Sequence, residues 1–453
     1  MINFSKSSFM YGCQCPKRLF LHKFKREVAD VEDDQTMARY ASRTDAGVLA
    51  QQVFPGGYDA QQEDKYPWIE TAYRTKEALR FEEVIYEATF IHEDVLCAVD
   101  ILVKTEEGYD VYEVKSVNSV KEQHEQDGAL QYYVLAGAGI DVRNFYILHF
   151  NKKYVRRGEI DVERLFLPTN ITEACRKRQS WVRENLHDLR EMLSKGAEPN
   201  IPMGPQCNKP YACNFQGYCS QLNAIEPEAQ KELNGSIEQE KESLRTYFKD
   251  WHYPLYFFDF ETCMFGVPEF DECRPWQQIP FQFSLHMQSV PGAEMKHYEF
   301  LGSGTGDPRN ELIQKMKKVF GMAGSIVTWN KHFEIGRFKE LARDFPSERE
   351  FIEPMIERVV DLMVPFKKGW VSSEAFGGSA SIKNVLPVMV PELDYSMLEI
   401  QEGGSASFIY SQLQSMDEDT AEKTKAALLE YCKMDTLAMV RIWELLANLH
   451  TST

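Results

Sequence analysis

Two groups of carboxylates in this chain have spacings that can do chemistry: Asp100 and Glu113, with Lys115 beside them, and Asp259, Glu261, Glu334 and Asp435. In VYEVKS, positions 113 and 115 share one face of a strand, and a single hairpin brings Asp100 to them. In LYFFDFET, Asp259 and Glu261 alternate with Phe258 and Phe260, so the acids take one face and the aromatics the other. Asn330 and Glu334 lie one helical turn apart, as do Tyr431 and Asp435. Carboxylates held side by side are costly unless a divalent cation neutralises them. Each group therefore implies a divalent metal and a polyanionic substrate. A metal on Asp100 and Glu113 would activate water for attack on a phosphodiester, with Lys115 positioning or deprotonating it, and the second group has the components of a two-metal hydrolase.

Cysteines form a third pattern. Cys207, Cys213 and Cys219 are each separated by five residues in PQCNKPYACNFQGYCS, a stretch too poor in apolar residues to need three thiols for packing. Cys15 lies far upstream in QCPKRLFL, with Cys13 as the rival fourth member. Four thiolates suit tetrahedral zinc or an iron–sulfur cluster. The N-terminus has no apolar run of signal-peptide length and no stretch approaches ~18 apolar residues, so a cytoplasmic protein without a membrane span is expected. Its ten cysteines are then reduced thiols or metal ligands rather than a disulfide framework.

The elements that must position these groups divide a chain of 453 residues, 43% hydrophobic and 12% aromatic, into two α/β domains. Residues 84–148 read as strands broken by the turn EEGYD, then a helix, EQHEQDGALQYYVLAGAG, then the strand FYILHF. Residues 171–195 read as one amphipathic helix ending at Gly196. The expected partition is 1–223, a charged helical linker over 224–250 with a capping pattern at Ser236 and Gln239, and 251–453. A net charge of −18 disfavours general nucleic-acid binding. Local basic groups must supply it: Lys17, Arg18, Lys23, Lys25 and Arg26, and Lys152, Lys153, Arg156 and Arg157 around Tyr154. The alternative is that these are solvated faces.

Asp100, Glu113-Val114-Lys115 resemble the PD-(D/E)XK nuclease superfamily. With Cys15-Pro16-Lys17-Arg18 and the three later cysteines, the first half resembles iron–sulfur RecB-like exonucleases, including the CRISPR-associated type. That resemblance implies a [4Fe–4S] cluster on Cys15, Cys207, Cys213 and Cys219, stapling the two ends of the domain. It also implies nucleic-acid contacts from Gln131 and Tyr132 (or Tyr133) in a Q-x-x-x-Y-like element, and Glu87 joining from a neighbouring strand. Gln51 and Gln52 depart from the pattern, standing where such nucleases carry a metal-binding His; His92 and His124 are substitutes or ordinary histidines.

The second half resembles DnaQ-like DEDD 3′–5′ exonucleases of RNase H-like fold with Y-x-x-x-D in the last motif. The resemblance implies that Asp259, Glu261, Glu334 and Asp435 hold two Mg²⁺ or Mn²⁺ ions ~4 Å apart and that Tyr431 orients the attacking water. Glu334 replaces the usual Asp, and Asp361 is a spare acid or a cap. Residues 378–406 resemble an insert of a bacterial family joining the two domain types, in which Ser381 and Lys383 meet the nucleic-acid backbone, as does Asn330, or in which Gly377, Gly378 and the serines make a turn. The expectation is a metal-dependent DNA exonuclease, with RNA possible. Its rivals are a protein that cuts only with its second domain, the first binding nucleic acid, and a non-catalytic scaffold whose cluster senses redox state.

Overall fold

The computed structural model describes residues 4–30, 46–62, 66–220, 236–393, 395, 398, 400 and 403–451. The first part of the expected linker, and several residues of the 378–406 stretch, lie outside these. The protein is mixed α/β with two separate sheets. It divides into two compact units, Met1–Ala224 with Phe265–Trp276, and Ile225–Met264 with Gln277–Thr453. Residues 265–276, read from sequence as part of the second domain, thus belong with the first. No described helix is long and apolar enough to cross a membrane.

In the first unit, β1 (Phe4–Ser5) leads into α1 (Lys6–Gln14) through a capping box in which Ser5 and Ser8 satisfy each other's backbone N–H groups. Pro16 ends that helix and opens α2 (Pro16–Phe24), leaving Cys15 extended between the two. Strands β2 (Tyr58–Asp59), β3 (Val84–His92), β4 (Val95–Thr105), β5 (Gly108–Lys115), β6 (Val142–Phe150) and β7 (Phe166–Asn170) follow, with α3 (Trp68–Ala78) after β2 and α4 (Glu122–Gly137) after β5. They join in the order β2-β3-β4-β5-β6-β7, and β1 lies parallel to the start of β4.

The expected helix over 171–195 is two helices, Thr172–Lys177 and α5 (Gln179–Ser194). They break at Arg178, whose φ of −89° and ψ of 6° leave the helical region while its guanidinium pairs with Glu125 of α4 at 2.7 Å. Val182, Leu186 and Leu189 of α5 bury the apolar stripe that the sequence shows, against Phe9, Val95, Leu130 and Val134.

The second unit opens with α6 (Lys241–Phe248). The Ser236 hydroxyl, expected to cap a helix, donates to the carbonyl of Ser372 and accepts the Ser372 N–H, both at 3.1 Å, so the described part of the charged segment is docked on this unit. Its sheet runs β10 (Lys296–Leu301), β9 (Gln278–Gln288), β8 (Leu255–Met264), β11 (Ser325–Thr328), β12 (Val359–Asp361). The central strand β8 is antiparallel to β9 and parallel to β11. Phe258, Phe260, Phe283 and Leu285 pack on one face against α7 (Arg309–Val319), α8 (Lys331–Asp344) and α9 (Arg349–Glu357). Later come α10 (Ile382–Met389), α11 (Gly403–Gln412) and α12 (Glu418–Thr451). Gln282, Ser284 and His286 point to the other face, where α12 lies.

Candidate active sites

The acids of the second unit are assembled by that register. Asp259 stands beside Ser284 and Glu261 beside Gln282. Gln282 donates to the carbonyl of Leu428 at 2.8 Å, and Thr436 bonds both Ser284 (2.7 Å) and His286 (2.8 Å). The segment of α12 between these anchors carries Tyr431, Cys432 and Asp435, which therefore lie over the acids of β8. Ligand atoms of Asp259, Glu261 and Cys432 are within 4.8 Å of one another. Glu334 comes from the first turn of α8, buried, with Oε2 bonded to nothing among the described residues.

Burial and the neighbouring charges of Asp435, Glu261 and Glu334 push Asp259 far above the usual carboxylate range. Burial and Asp435 push Glu261 up to about 8, and burial pushes Glu334 to about 8 with Asp361 adding to it. Asp435 rises less, to about 6, because burial is opposed by hydrogen bonds from Tyr395 and Tyr431 and by the Lys383 charge. The Lys383 ammonium lies 5.4 Å from the Tyr431 ring centre and 5.7 Å from that of Tyr395. Three buried acids and the half-buried Asp259 thus converge, with the Lys383 charge acting on Glu261 and Asp435 and that of Arg337 on Glu334. The excess negative charge, the orphaned Glu334 oxygen and the converging donors fit divalent cations.

Of the other expectations for this unit, Asp361 is a cap: its Oδ1 accepts the Met363 N–H at 2.9 Å. Gly377 and Gly378, with φ of 60° and 72°, make the turn that their positive φ suits. Ser381 is exposed at the start of α10, while Asn330 caps α8 by position without a side-chain bond. Sequence reasoning missed Tyr395, whose hydroxyl donates to Asp435 at 2.6 Å. It also missed Cys432, although its place three residues before Asp435 on a helix was a usable signal. Gly403 opens α11 so close to the site that a Cβ there would sit 3.4 Å from Glu261 Oε2.

In the first unit, β5 pairs with β4 only as far as Tyr112, opposite Ile101, then runs on beside β6. In the notch this opens, Asp100 Oδ2 accepts the Val114 N–H at 2.6 Å, and Glu113 and Lys115 share a 2.7 Å ion pair. Asp100, Glu113 and Lys115 are brought together with the expected Glu87, and two unforeseen residues, Asp127 and Lys6, join them. Glu87, opposite Asp100 on β3, has a φ of 52°, a strained backbone for a residue with a side chain. Asp127 of α4 accepts from Lys115, and Lys6 of α1 reaches Glu113 Oε1 at 2.6 Å.

Burial and Glu113 raise Asp100 to about 7, and burial and Asp100 raise Glu87 to about 8. Burial would raise Glu113 too, but the Lys115 and Lys6 ammonium groups outweigh it and hold it at about 2. Burial would depress Lys115, but Asp127 and Glu113 hold it above its ordinary value. In this arrangement Lys115 is a cation paired with Glu113 and Asp127.

Gln131 is fully buried one turn from Asp127, with neither amide atom partnered among the described residues, whereas Tyr132 accepts from Arg176 at 3.3 Å. His124 accepts the Lys121 N–H with Nδ1, and His92 packs on the Tyr133 ring. His124 lies near the cluster: burial pushes it down to about 4, with the Lys115 charge adding to this and Asp127 and Glu113 opposing it.

Cys15, Cys207, Cys213 and Cys219 line one cavity of about 20 Å³. Cys13 turns away, its thiol on Asn185 and pushed up to about 12 by burial. Lys17 and Arg18, expected at nucleic acid, are instead buried beside the thiols. Lys17 pairs with Glu198 at 3.0 Å; Arg18 bonds Asn214 at 3.3 Å and lies 4.0 Å over the Tyr11 ring. Lys152 and Lys153 are exposed after β6, but Arg156 is bound to the carbonyls of Pro268 and Glu269.

Residues 256–381 match the family described as Domain of unknown function (DUF2779). The chain is also similar to the "Uncharacterized protein MG366 homolog" of Mycoplasma pneumoniae, 28% identical over 210 residues, which is 41% of this chain and 31% of that protein. The chain spans about a third of the length of this curated relative.

Proposed function

We propose that the protein is a metal-dependent nuclease whose second unit, a DnaQ-like exonuclease of RNase H-like fold, removes nucleotides from the 3′ end of DNA. The observation that carries this reading is the convergence of Asp259, Glu261, Glu334 and Asp435, close enough for the other three charges to act on Asp259, with Glu334 Oε2 buried and unpartnered among the described residues. Mg²⁺ or Mn²⁺ held by these acids would supply an activated water and stabilise the leaving 3′-oxygen. The chain does the positioning. Burial holds the Tyr431 hydroxyl far above its usual pKa, with Asp435 and Glu261 adding to it, so it keeps its proton and orients water as a hydrogen-bonding group. Lys383 places positive charge beside the acids, where a phosphate would approach, and Gly403 leaves room for a strand.

The first unit, on this reading, is a RecB-like domain carrying an iron–sulfur cluster. Cys15, Cys207, Cys213 and Cys219 line one cavity, and four thiolates are the ligand set that such a cluster takes.

The test is digestion of 3′- and 5′-labelled single-stranded DNA and RNA with Mn²⁺ or Mg²⁺. Asp259→Asn should lower the rate at least about 1000-fold, ~4 kcal/mol of transition-state stabilisation, and Glu113→Gln should leave most of it. A wild-type protein that releases no nucleotides, or an Asp259→Asn variant as fast as wild type, would overturn the reading.

A further inference from the structure

The two acid clusters differ in what neutralises them. In the second, ammonium is scarce; in the first, Glu113 Oε1 accepts from two ammonium groups at once, Lys6 at 2.6 Å and Lys115 at 2.7 Å. That uses both lone pairs of the oxygen. Asp100 Oδ2 is taken by the Val114 N–H and Asp127 Oδ2 by Lys115. A divalent cation on Glu113 would sit within a few ångströms of the Lys6 charge, inside a buried site where like charges are poorly screened. Glu113 Oε2 and Asp127 Oδ1, both buried, have no partner among the described residues, so it is the Lys6 charge, rather than a lack of open oxygens, that sets the first cluster against a divalent ion.

The placement of Lys6 is built into the fold. β1 pairs with β4 through Phe4 opposite Val95 and Ser5 opposite Leu96, the part of β4 that β5 leaves uncovered. The capping box at Ser5 then makes Lys6 the first residue of α1. Helical side chains lean toward the N-terminus, which here is back toward the notch between β4 and β5. Burial alone would depress Lys6, but Glu113, Asp127 and Asp100 hold it well above its ordinary value, so it stays charged.

We propose that Lys6 is the resident cation of the first cluster and that its ammonium, held on Glu113, keeps Mg²⁺ and Mn²⁺ out of it. The first unit then has no divalent ion while Lys6 is in place, and its acids hold the N-terminal segment rather than a reacting water. This rests on the proposed function in taking the cluster for a place where a nuclease of this type would bind a cation.

The experiment is a Mn²⁺ titration of the full-length protein, bound ions being counted from the free Mn²⁺ spin-resonance signal. It compares wild type, Glu113→Gln, Lys6→Met, the double variant and Glu261→Gln. Glu113→Gln should bind as many Mn²⁺ as wild type. Lys6→Met should bind one more, and the double variant should lose that added ion. A wild-type count that drops in Glu113→Gln overturns the proposal, as does a folded Lys6→Met that gains nothing. Should Lys6→Met fail to fold, the comparison of wild type with Glu113→Gln decides by itself: equal counts support the proposal and a drop sinks it. A count unchanged in Glu261→Gln would instead speak against cations in the second unit, and so against the proposed function, leaving the Lys6 comparison intact.

Discussion

Tyr395 shows what single residues do around the second cluster. Its hydroxyl donates to Asp435 at 2.6 Å in a buried setting, and this bond opposes the rise that burial imposes on Asp435. A hydrogen bond to a charged group contributes ~1.5–3 kcal/mol, and partners of metal-binding carboxylates typically change metal affinity ~10–100-fold. Tyr395→Phe should therefore weaken Mn²⁺ binding by about that factor with the fold intact, read by calorimetric titration. An unchanged affinity would remove Asp435 from the cation site. Asp259, Glu261, Tyr431 and Asp435 were legible because strand alternation and one helical turn fix their spacing from sequence alone. Tyr395, Lys6 and Asp127 were not. Each reaches its cluster through a contact set by tertiary packing, and nothing in the residues beside it announces the acid it will meet.

Strand β9 and helix α12 are held together by Gln282, Ser284 and His286 on alternate strand positions, and this clamp positions Tyr431 and Asp435. His286 must stay neutral there. Burial lowers it from 6.5 to about 4, with His297 and Lys433 adding to the effect. The unfolded chain therefore binds the extra proton between those values and the folded protein does not. The stability that neutral His286 contributes is complete above pH 6.5 and is lost as the pH falls through about 4, ~3 kcal/mol over the interval at 1.36 kcal/mol per unit. In urea unfolding, His286→Gln should flatten the loss of second-unit stability between pH 7 and pH 4 relative to wild type. Parallel curves would mean that His286 is protonated without cost. Sequence periodicity showed these elements well, the apolar stripe of α5 included. It failed at Arg178, because the helix break there is fixed by an ion pair to another helix, which periodicity does not carry.

On the scale of the whole chain, residues 265–276 leave the second sheet between β8 and β9 yet belong to the first compact unit. The reason is hydrogen bonding. Arg156 N donates to Cys273 O at 3.1 Å and Glu272 N to Arg156 O at 3.0 Å. Gly158 N reaches Asp271 at 2.9 Å, and the Trp276 indole reaches Ser116 O at 3.1 Å. A linear reading missed this, because a sequence shows where a strand pauses but not which core the excursion joins. The basic run at Arg156 and Arg157, read as a nucleic-acid contact, is largely the other half of this pairing. Replacing 265–276 by a glycine–serine loop in the full chain should speed amide exchange at Arg156 and Gly158 by about 10-fold or more, since each ~1.4 kcal/mol of lost local stability is one decade. Amides of β8 and β9 should keep their protection, because their ladder runs from Leu255 to Met264 without the excursion. An equal loss of protection in both places would mean that the segment supports the second sheet as well. Exchange unchanged at Arg156 and Gly158 would mean that the first unit closes without it.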